Sequence, residues 1–359
     1  MRNMWKKIKP LNYLLLAFPA AVLGSLLHAS PIFNFIVACL GLVPLAGLIG
    51  DATEVLAFYT GPKIGGLLNA TLGNAAELII TIVAIKAGLL DLVKASITGS
   101  IIGNLLLVLG FSVLMGGLKH GTQRFSRVHA ATNATMLVLA VIALTVPSLF
   151  NHTLTGTQLP ANTTEAISLG VAGVMIVLYV LGLIFSLRTA RPGASALAPE
   201  VPAEKPPWSM RTALIILAVT TLAVVWLSEI LVGAVDAVMA ASGLSEFFLG
   251  IILIPIIGNV AEHLVAVQMA LKNKVELSLE IALGSSLQIS LFVAPVLVFI
   301  SLAFGHYLNL MFNQFELVAL VAAVIVAALV SSDGETNWLE GAELIAVYLI
   351  LGVAFFFLP

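Results

Sequence analysis

The chain has 359 residues, of which 60% are hydrophobic and 9% are charged, and its formal net charge is −2. Soluble domains carry about 25% charged residues, so this chain has too few charges to cover a water-facing surface. The composition excludes an ordinary soluble domain. Long apolar runs from Leu11 to the C-terminus predict an all-α polytopic membrane protein. The single cysteine, Cys39, excludes a disulfide within the chain.

The apolar runs predict eleven transmembrane helices. The first run follows a basic segment and has no convincing cleavage site, so we interpret it as a membrane span and not as a signal peptide. Residues 189–207 read TARPGASALAPEVPAEKPP, which is too polar and too rich in proline to cross a bilayer and predicts a linker. In chain order, the predicted helices cover residues 11–28, 32–59, 63–87, 90–117, 128–149, 164–188, 210–241, 245–271, 276–303, 309–331 and 338–358.

The distribution of positive charge predicts the orientation. With a cytoplasmic N-terminus, fourteen of the sixteen Lys and Arg residues fall in cytoplasmic segments, and only Lys86 and Lys94 fall outside. Because cytoplasmic loops carry an excess of Lys and Arg, this orientation is favoured. Eleven spans then place the C-terminus on the external side.

Two segments of the chain align when Gly73 is placed on Gly258, since GNAAELIIT begins at the first glycine and GNVAEHLVA at the second. We call this the repeat alignment. The third predicted helix runs outward and the eighth runs inward, so the two copies are inverted in the membrane, as in secondary transporters. We therefore expect an extra N-terminal transmembrane helix (1–30), a five-helix repeat (31–188), a cytoplasmic linker (189–207) and a second five-helix repeat (208–359). The aligned polar residues are Asn74 with Asn259, Glu77 with Glu262, and Ser100 with Ser285.

The two intramembrane glutamates, Glu77 and Glu262, are the candidate cation carriers. A charged side chain at the bilayer centre costs about 2.5–3.5 kcal/mol on insertion scales, so a proton or a cation must compensate each carboxylate. Two carboxylates match the charge of Ca²⁺, which needs six to eight oxygen ligands. The Gly-Asn pair before each glutamate predicts a break in the helix, which would free backbone carbonyls, and Asn74 and Asn259 offer side-chain oxygens. Burial also favours the protonated form of a carboxyl group.

Other polar residues have two interpretations each. Ser100 and Ser285 follow glycines, and they serve either close helix packing or ligand support. Glu229 fits either a proton route or a polar packing contact. We interpret His129 and Glu316, which open the fifth and tenth predicted helices, as interfacial residues.

These residues and motifs resemble the calcium/proton antiporter family of the calcium/cation antiporter superfamily. The resemblance covers nearly the whole chain, and it rests on GNAAE, GNVAEH, GSIIGNLLLVLG from Gly99, GSSLQISLFVAP from Gly284 and DGETNWLEG from Asp333. It implies one extra helix before two inverted five-helix repeats, with Glu77 and Glu262 carrying Ca²⁺ and H⁺ in turn. It also implies that Asn104 and Gln288 are supporting polar residues. The first copy has Gly103 where relatives often have a serine.

We expect a secondary antiporter that exports Ca²⁺ in exchange for protons, and not an enzyme. The alternatives are a Na⁺-coupled exchanger of the same superfamily and, in a different class, a passive cation channel. The expected partners are Ca²⁺, H⁺ and the lipid bilayer. A homo-oligomer is left open, and we expect no nucleic acid and no cofactor. The expected location is the plasma membrane of a prokaryote.

Overall fold

The computed structural model describes residues 10–153, 161–189 and 206–358, and these residues are almost entirely helical. The central part of the 189–207 linker lies outside the described residues. A 3-10 helix (Pro10–Leu16) precedes α1. The α-helices are α1 (Ala17–Leu26), α2 (Pro31–Thr60), α3 (Pro62–Leu72), α4 (Ala75–Lys86), α5 (Leu90–Ile102), α6 (Leu109–His120), α7 (Arg127–Thr153), α8 (Ala161–Thr189), α9 (Met210–Gly233), α10 (Val235–Ser242), α11 (Glu246–Phe248), α12 (Ile254–Leu271), α13 (Val275–Gln288), α14 (Ala294–Phe304), α15 (Gln314–Val330) and α16 (Trp338–Phe356).

Three π-helical turns join consecutive α-helices into long rods: π1 (Gly103–Val108), π2 (Leu249–Leu253) and π3 (Ile289–Val293). The turn π1 continues α5 into α6, and π3 continues α13 into α14. In the repeat alignment the first residue of π1 falls on Gln288, directly before π3, so the two turns occupy nearly matched positions of the two sequence copies. Single π-helical turns within α-helices are frequent at functional sites.

The described residues contain eight helices that are long and apolar enough to cross a membrane, so the chain is a polytopic helical membrane protein. A ninth span results if α3 and α4, which meet at a bend of 42°, are counted together. Two shorter apolar helices cover Tyr13–Leu26 and Gln314–Val330. The sequence-based boundaries agree with these helices to within a few residues at most positions.

The prediction was wrong where single helices were expected over 210–241 and from residue 309. The first of these is interrupted at Ala234, between α9 and α10. Helix α15 begins at Gln314 because Asn313 and Glu316 form a capping box. The preceding segment is held outside the helix, since the N–H groups of Leu310 and Phe312 donate to Ser168 Oγ (3.1 Å) and Ser148 Oγ (2.9 Å).

Hydrogen bonds between loops define two ends of the helical bundle. At one end, β1 (Gln123–Arg124) pairs antiparallel with β2 (Glu335–Thr336), and Lys119 Nζ donates to Leu271 O at 2.9 Å. We call this end the strand face. At the other end, Lys94 Nζ donates to Met311 O at 3.4 Å, and we call this end the opposite face. These contacts join segments that the sequence predicts to lie on the same side of the membrane.

The centre of the bundle contains the two π-interrupted rods. The rod of α5, π1 and α6 and the rod of α13, π3 and α14 are the most buried of the long apolar helices, whereas α8 is the most exposed. Their buried faces include polar side chains as well as apolar ones, among them Thr98, Asn104, Ser286 and Ser290. The two rods therefore bring polar groups to the middle of an apolar bundle, next to the helices that carry the glutamates.

Candidate functional site

The first glutamate lies at a break in its helix. Helix α3 ends at Leu72 and α4 begins at Ala75, and the axis bends by 42° between them. A Cβ at Gly73 would lie 2.7 Å from Asn69 O, so the bend leaves no space for a side chain there. Asn74 precedes the first residue of α4, and Glu77 lies in its first turn. The break expected at this Gly-Asn pair is confirmed.

The second glutamate lies in an unbroken helix, so the break expected at Gly258 and Asn259 was wrong. Helix α12 runs without interruption from Ile254 to Leu271. The irregular backbone is displaced toward the N-terminus, where π2 leads into a proline at Pro255. Gly258 has a different role from Gly73, because a Cβ there would lie 2.7 Å from Glu77 Cγ. The glycine allows α12 to approach the side chain of the other glutamate.

Each glutamate is bound by a serine of its own half, at the same spacing in the chain. Ser100 Oγ on α5 donates to Glu77 Oε1, and Ser285 Oγ on α13 donates to Glu262 Oε2 at 3.0 Å. Both serines lie in the buried parts of the central rods. Of the two interpretations of these serines, the geometry favours support of the carboxylates, because each hydroxyl is placed on a carboxylate oxygen.

The asparagines connect the two halves of the chain. Asn259 Nδ2 donates to Glu77 Oε1 at 2.5 Å, while Asn74 Oδ1 accepts from Ser285 Oγ at 3.1 Å. Asn74 Nδ2 also donates to Gln288 Oε1 at 2.7 Å. Two hydrogen-bonded groups result, and each contains one glutamate, the serine of its own half and the asparagine of the other half. The first group contains Glu77, Ser100 and Asn259. The second group contains Glu262, Ser285 and Asn74, together with Gln288.

Asn104 stands apart from both groups. It is buried on π1, and its Nδ2 has no hydrogen-bond partner among the described residues. Gln288 falls on Gly103 in the repeat alignment, so the first copy has no side chain that could orient Asn259 as Gln288 orients Asn74. The supporting residues are therefore not symmetric between the two halves.

The two carboxylates differ in exposure. Glu77 is 3% exposed, and its Oε2 has no hydrogen-bond partner among the described residues, whereas Glu262 is half-buried. The salt bridges between described residues include none to either glutamate. A buried carboxylate without a cationic partner requires compensation. One divalent cation, or protons on the carboxyl groups, would supply it.

The packing on the two sides of the site is also unequal. Toward the opposite face, α5 packs tightly on π2, where a Cβ at Gly99 would meet Ile251 O and a Cβ at Gly250 would lie 2.7 Å from Ala95 Cβ. Leu92 N extends this contact by donating to Glu246 Oε1 at 2.9 Å. We call this contact the closed seam.

Toward the strand face, α13 has no such contact at the matched positions. A Cβ at Gly284, the counterpart of Gly99, would have no heavy atom within 4 Å. Glu280, the counterpart of the fully buried Ala95, is half-buried. We call this face of α13, from Glu280 to Gly284, the open seam. Gly284 directly precedes Ser285, which binds the half-buried Glu262. The packing near the site is therefore looser toward the strand face than toward the opposite face.

Two residues outside the site correct the sequence interpretation. Glu316, expected at the interface, is 3% exposed, and it accepts from Asn313 N at 2.8 Å and from Thr98 Oγ1 at 3.2 Å. The spacing of Asn313 and Glu316 is a capping-box signature that could have located it. Glu229 is exposed and lies 3.4 Å from Lys86 Nζ, which favours the polar contact over a proton route.

Sequence inspection did not single out Glu280, because the aligned residue of the first copy is an alanine and the repeat gives no signal there. His129, expected at the interface, is exposed and lies close to Glu276 and Glu280. The nearest side-chain oxygen or nitrogen atoms of these three residues lie within 4.8 Å of one another. The structure thus adds a titratable cluster at the open seam.

Asn74→Ala and Asn259→Ala should each weaken Ca²⁺ binding by about tenfold or more while the protein still folds. Each substitution removes one oxygen that could coordinate a cation. Asn74→Ala also removes two neutral hydrogen bonds across the halves, and Asn259→Ala removes one to the carboxylate of Glu77, which is worth about 1.5–3 kcal/mol. Asn259→Ala should have the larger effect, because Asn259 donates to Glu77 directly. Isothermal titration with Ca²⁺, together with size-exclusion chromatography, would measure both properties. Loss of the folded peak in both variants would contradict a role as ligands.

The comparisons with known proteins agree with the sequence motifs. The profile of the family described as "Sodium/calcium exchanger protein" matches residues 30–188 and 212–357. The chain is 46% identical to a Ca(2+)/H(+) antiporter of Aphanothece halophytica over 362 residues, covering 96% of each chain. It is 45% identical to the Ca(2+)/H(+) antiporter ChaA of Bacillus subtilis over 345 residues, covering 95% of this chain and 96% of the relative.

Solved structures show the same relationship. The chain superposes on native YfkE with a TM-score of 0.84 and 41% identity, covering 97% of this chain and 100% of that one. It shares the fold of the H+/Ca2+ exchanger CAX at a TM-score of 0.75, with 16% identity and coverage of 96% and 91%. The family profile covers most of the chain, and the relatives are similar over almost their whole length. The chain therefore belongs to the sodium/calcium exchanger protein family.

Proposed function

We propose that this protein is a secondary active antiporter that exchanges Ca²⁺ for protons across the membrane. The observation that carries the proposal is the pair of glutamates from the two halves, each bound by its own serine, with Asn259 donating across the halves to Glu77. Two carboxylates compensate one Ca²⁺, and they are equally compensated by protons. Relatives that are 45–46% identical carry the name Ca(2+)/H(+) antiporter, which supports the same pair of ions.

We infer that Glu77 and Glu262 bind Ca²⁺ or protons in turn, with Asn74 and Asn259 as further oxygen ligands. Ser100 and Ser285 hold the carboxylates in place, and Gln288 holds the amide of Asn74 so that its Oδ1 remains directed toward Ser285. Asn104 lies close in sequence to this set and is buried with a free donor, so we retain it as a supporting polar residue. The unpartnered Glu77 Oε2 is available to a cation without breaking an existing hydrogen bond.

We further propose eleven transmembrane spans: one N-terminal helix (1–30) and two inverted five-helix repeats (31–188 and 208–359), joined by a cytoplasmic linker (189–207). The nine spans that include the bent pair, together with the two shorter apolar helices, support this number. The matched π1 and π3 turns and the equal spacing of the serines from the glutamates support the repeat. One seam is tightly packed and the other is not, although they occupy matched positions. Alternating access by two inverted repeats requires such a difference in packing between the two sides.

The orientation that we propose places the strand face in the cytoplasm and the C-terminus outside, in the plasma membrane of a prokaryote. Arg124, Lys119 and Lys272 lie at or near the strand face, in agreement with the excess of positive charge in cytoplasmic loops. Exposed apolar side chains on α8, among them Val174 and Val177, would contact lipid. In this orientation the open seam faces the cytoplasm, where exported Ca²⁺ must bind.

A reporter inserted after Lys119 or within residues 189–207 should be active only on the cytoplasmic side, and one fused to Pro359 only on the external side. A pair of fusions to reporters that are active on opposite sides would measure each position twice. A cytoplasmic signal at Pro359 would contradict both the eleven spans and the inverted relation of the repeats.

Uptake of ⁴⁵Ca²⁺ into proteoliposomes with an imposed pH gradient, with and without Na⁺, tests the function itself. We expect uptake that depends on the pH gradient and does not require Na⁺. Uptake that is driven by a Na⁺ gradient alone would favour the Na⁺-coupled exchanger. Flux that needs no counter-ion and does not saturate would favour a passive channel.

A further inference from the structure

Glu280 lies on the open seam, whose packing changes if the two inverted repeats alternate as proposed above. The repeat alignment relates the two sides of the site position by position. It matches α5 with α13, and it matches π2 with the first residues of α3. In the closed seam, Ala95 packs against Gly250. The corresponding pair at the open seam is Glu280 and Gly65.

When the repeats exchange their conformations, the open seam takes the packing that the closed seam has now. Glu280 then occupies the place of Ala95, which is 0% exposed and so close to Gly250 that two Cβ atoms there would be 2.7 Å apart. Such a contact excludes water. An ionised carboxylate moved there without a partner would cost several kcal/mol. Glu280 therefore cannot remain ionised when the strand-face seam closes.

The ion pairs between described residues include none to Glu280. Glu276 lies one turn before Glu280 on α13 and is itself acidic, and His129 on α7 lies close to both carboxyl groups. The titratable residues of α12 are Glu262, which is also acidic, and His263.

We propose that Glu280 is a gating residue that must bind a cytoplasmic proton before the strand-face seam can close. The proton adds to a carboxylate oxygen and gives the neutral acid, which packs against α3 near Gly65. When the seam opens again, the proton returns to the cytoplasm, so it is not one of the transported protons. Glu280 acts on the conformational equilibrium and not on the bound cation, and it makes closure easier when the cytoplasmic side is acidic.

The test uses cysteine accessibility, for which the chain is well suited because Cys39 is its single cysteine. In a Cys39→Ser background, Ser96→Cys places a thiol of similar size in the closed seam, where Ser96 is 2% exposed. Its counterpart Ile281→Cys places one in the half-buried open seam. Glu77→Gln and Glu262→Gln are added to both proteins so that the central carboxyl groups do not titrate.

Labelling with a charged maleimide in lipid nanodiscs at pH 6–8 reports which seam is open. The ratio of labelling at position 96 to labelling at position 281 cancels the pH dependence of thiol reactivity. We expect this ratio to rise as the pH falls, by at most about tenfold per pH unit for a single proton. Glu280→Gln should give a ratio that is high and independent of pH. The reason is that the neutral amide allows the strand-face seam to close without binding a proton. Glu276→Gln is the matched control and should keep the pH dependence.

The proposal would be overturned if Glu280→Gln and Glu280→Ala both left the pH dependence of the ratio unchanged. It would also be overturned if the cysteine at position 96 were never labelled at any pH. The alanine variant serves if the glutamine variant does not fold. The proposed function is tested separately by ⁴⁵Ca²⁺ flux in the unmodified protein. Absence of pH-driven flux together with pH-dependent labelling would contradict Ca²⁺/H⁺ exchange and leave the role of Glu280 in place.

Discussion

Glu77→Gln and Glu262→Gln should each abolish Ca²⁺/H⁺ exchange, with flux reduced to the level of protein-free liposomes. Each substitution keeps the size of the side chain and one carbonyl oxygen but removes a negative charge. With a single carboxylate left, bound Ca²⁺ would carry an uncompensated positive charge in a water-poor site, at a cost of several kcal/mol. A loss of about 4 kcal/mol corresponds to roughly a thousandfold in affinity, which places Ca²⁺ binding beyond the range of transport.

Both variants should still fold, because the hydrogen bonds of the site remain available. Glu77 accepts from Ser100 Oγ and from Asn259 Nδ2 at the same oxygen, Oε1. A glutamine carbonyl can accept both bonds while its NH₂ group replaces the unpartnered Oε2. The melting temperature in detergent should hold or rise, with the larger rise for Glu77→Gln, since Glu77 is more deeply buried than Glu262.

The measurement is pH-driven ⁴⁵Ca²⁺ flux in proteoliposomes, with size-exclusion chromatography as the folding check. Glu229→Gln is the matched control, because Glu229 is an exposed glutamate in a surface ion pair with Lys86 and should leave exchange unchanged. If either folded glutamine variant of the central pair keeps near-native exchange, that glutamate is not half of the cation site.

Sequence reasoning selected the residues of the candidate site because polar residues in an apolar chain are costly and therefore conspicuous. The match of Asn74, Glu77 and Ser100 to residues of the second copy predicted which side chains come together. Seven of the eight predicted site residues lie in the two hydrogen-bonded groups, and Asn104 lies outside them. The sequence did not predict that Asn259 would remain within a continuous helix. The Gly-Asn pair is the same in both copies, but Pro255 and π2 move the irregular backbone away from it in the second copy.

The unequal seams could not be predicted from the repeat. Two matched sequence segments suggest two matched environments. In any one state of an alternating-access transporter, however, one seam is closed and the other is open, so matched residues are packed differently. Glu280 is conspicuous only after the closed seam has shown where its counterpart Ala95 lies. For the same reason, the aligned positions of Glu77 and Glu262 do not reveal that in this state one is 3% exposed and the other half-buried. Conformational state is a property of the whole bundle and leaves no local pattern in the chain.

Gly99→Val and Gly284→Val should both abolish exchange, but by stopping the protein in different states. At the closed seam, a Cβ on Gly99 would meet the backbone of Ile251, so the valine prevents the packing seen here. At the open seam, a Cβ on Gly284 would have free space within 4 Å, so the valine is accommodated now. It becomes an obstacle only when the strand-face seam closes, since Gly284 then takes the environment of Gly99.

The two variants should therefore differ in stability and accessibility although both lack flux. Overpacking costs about 1–3 kcal/mol, so Gly99→Val should melt at a lower temperature than the parent, whereas Gly284→Val should melt close to it. In the Cys39→Ser background, a cysteine at position 96 should be labelled more in Gly99→Val and less in Gly284→Val. Gly170→Val on α8, where a Cβ also has free space within 4 Å, controls for the cost of valine in a helix and should keep exchange. Normal exchange by Gly284→Val would mean that the strand-face seam does not close as the closed seam does, and alternating access by the two repeats would then be wrong.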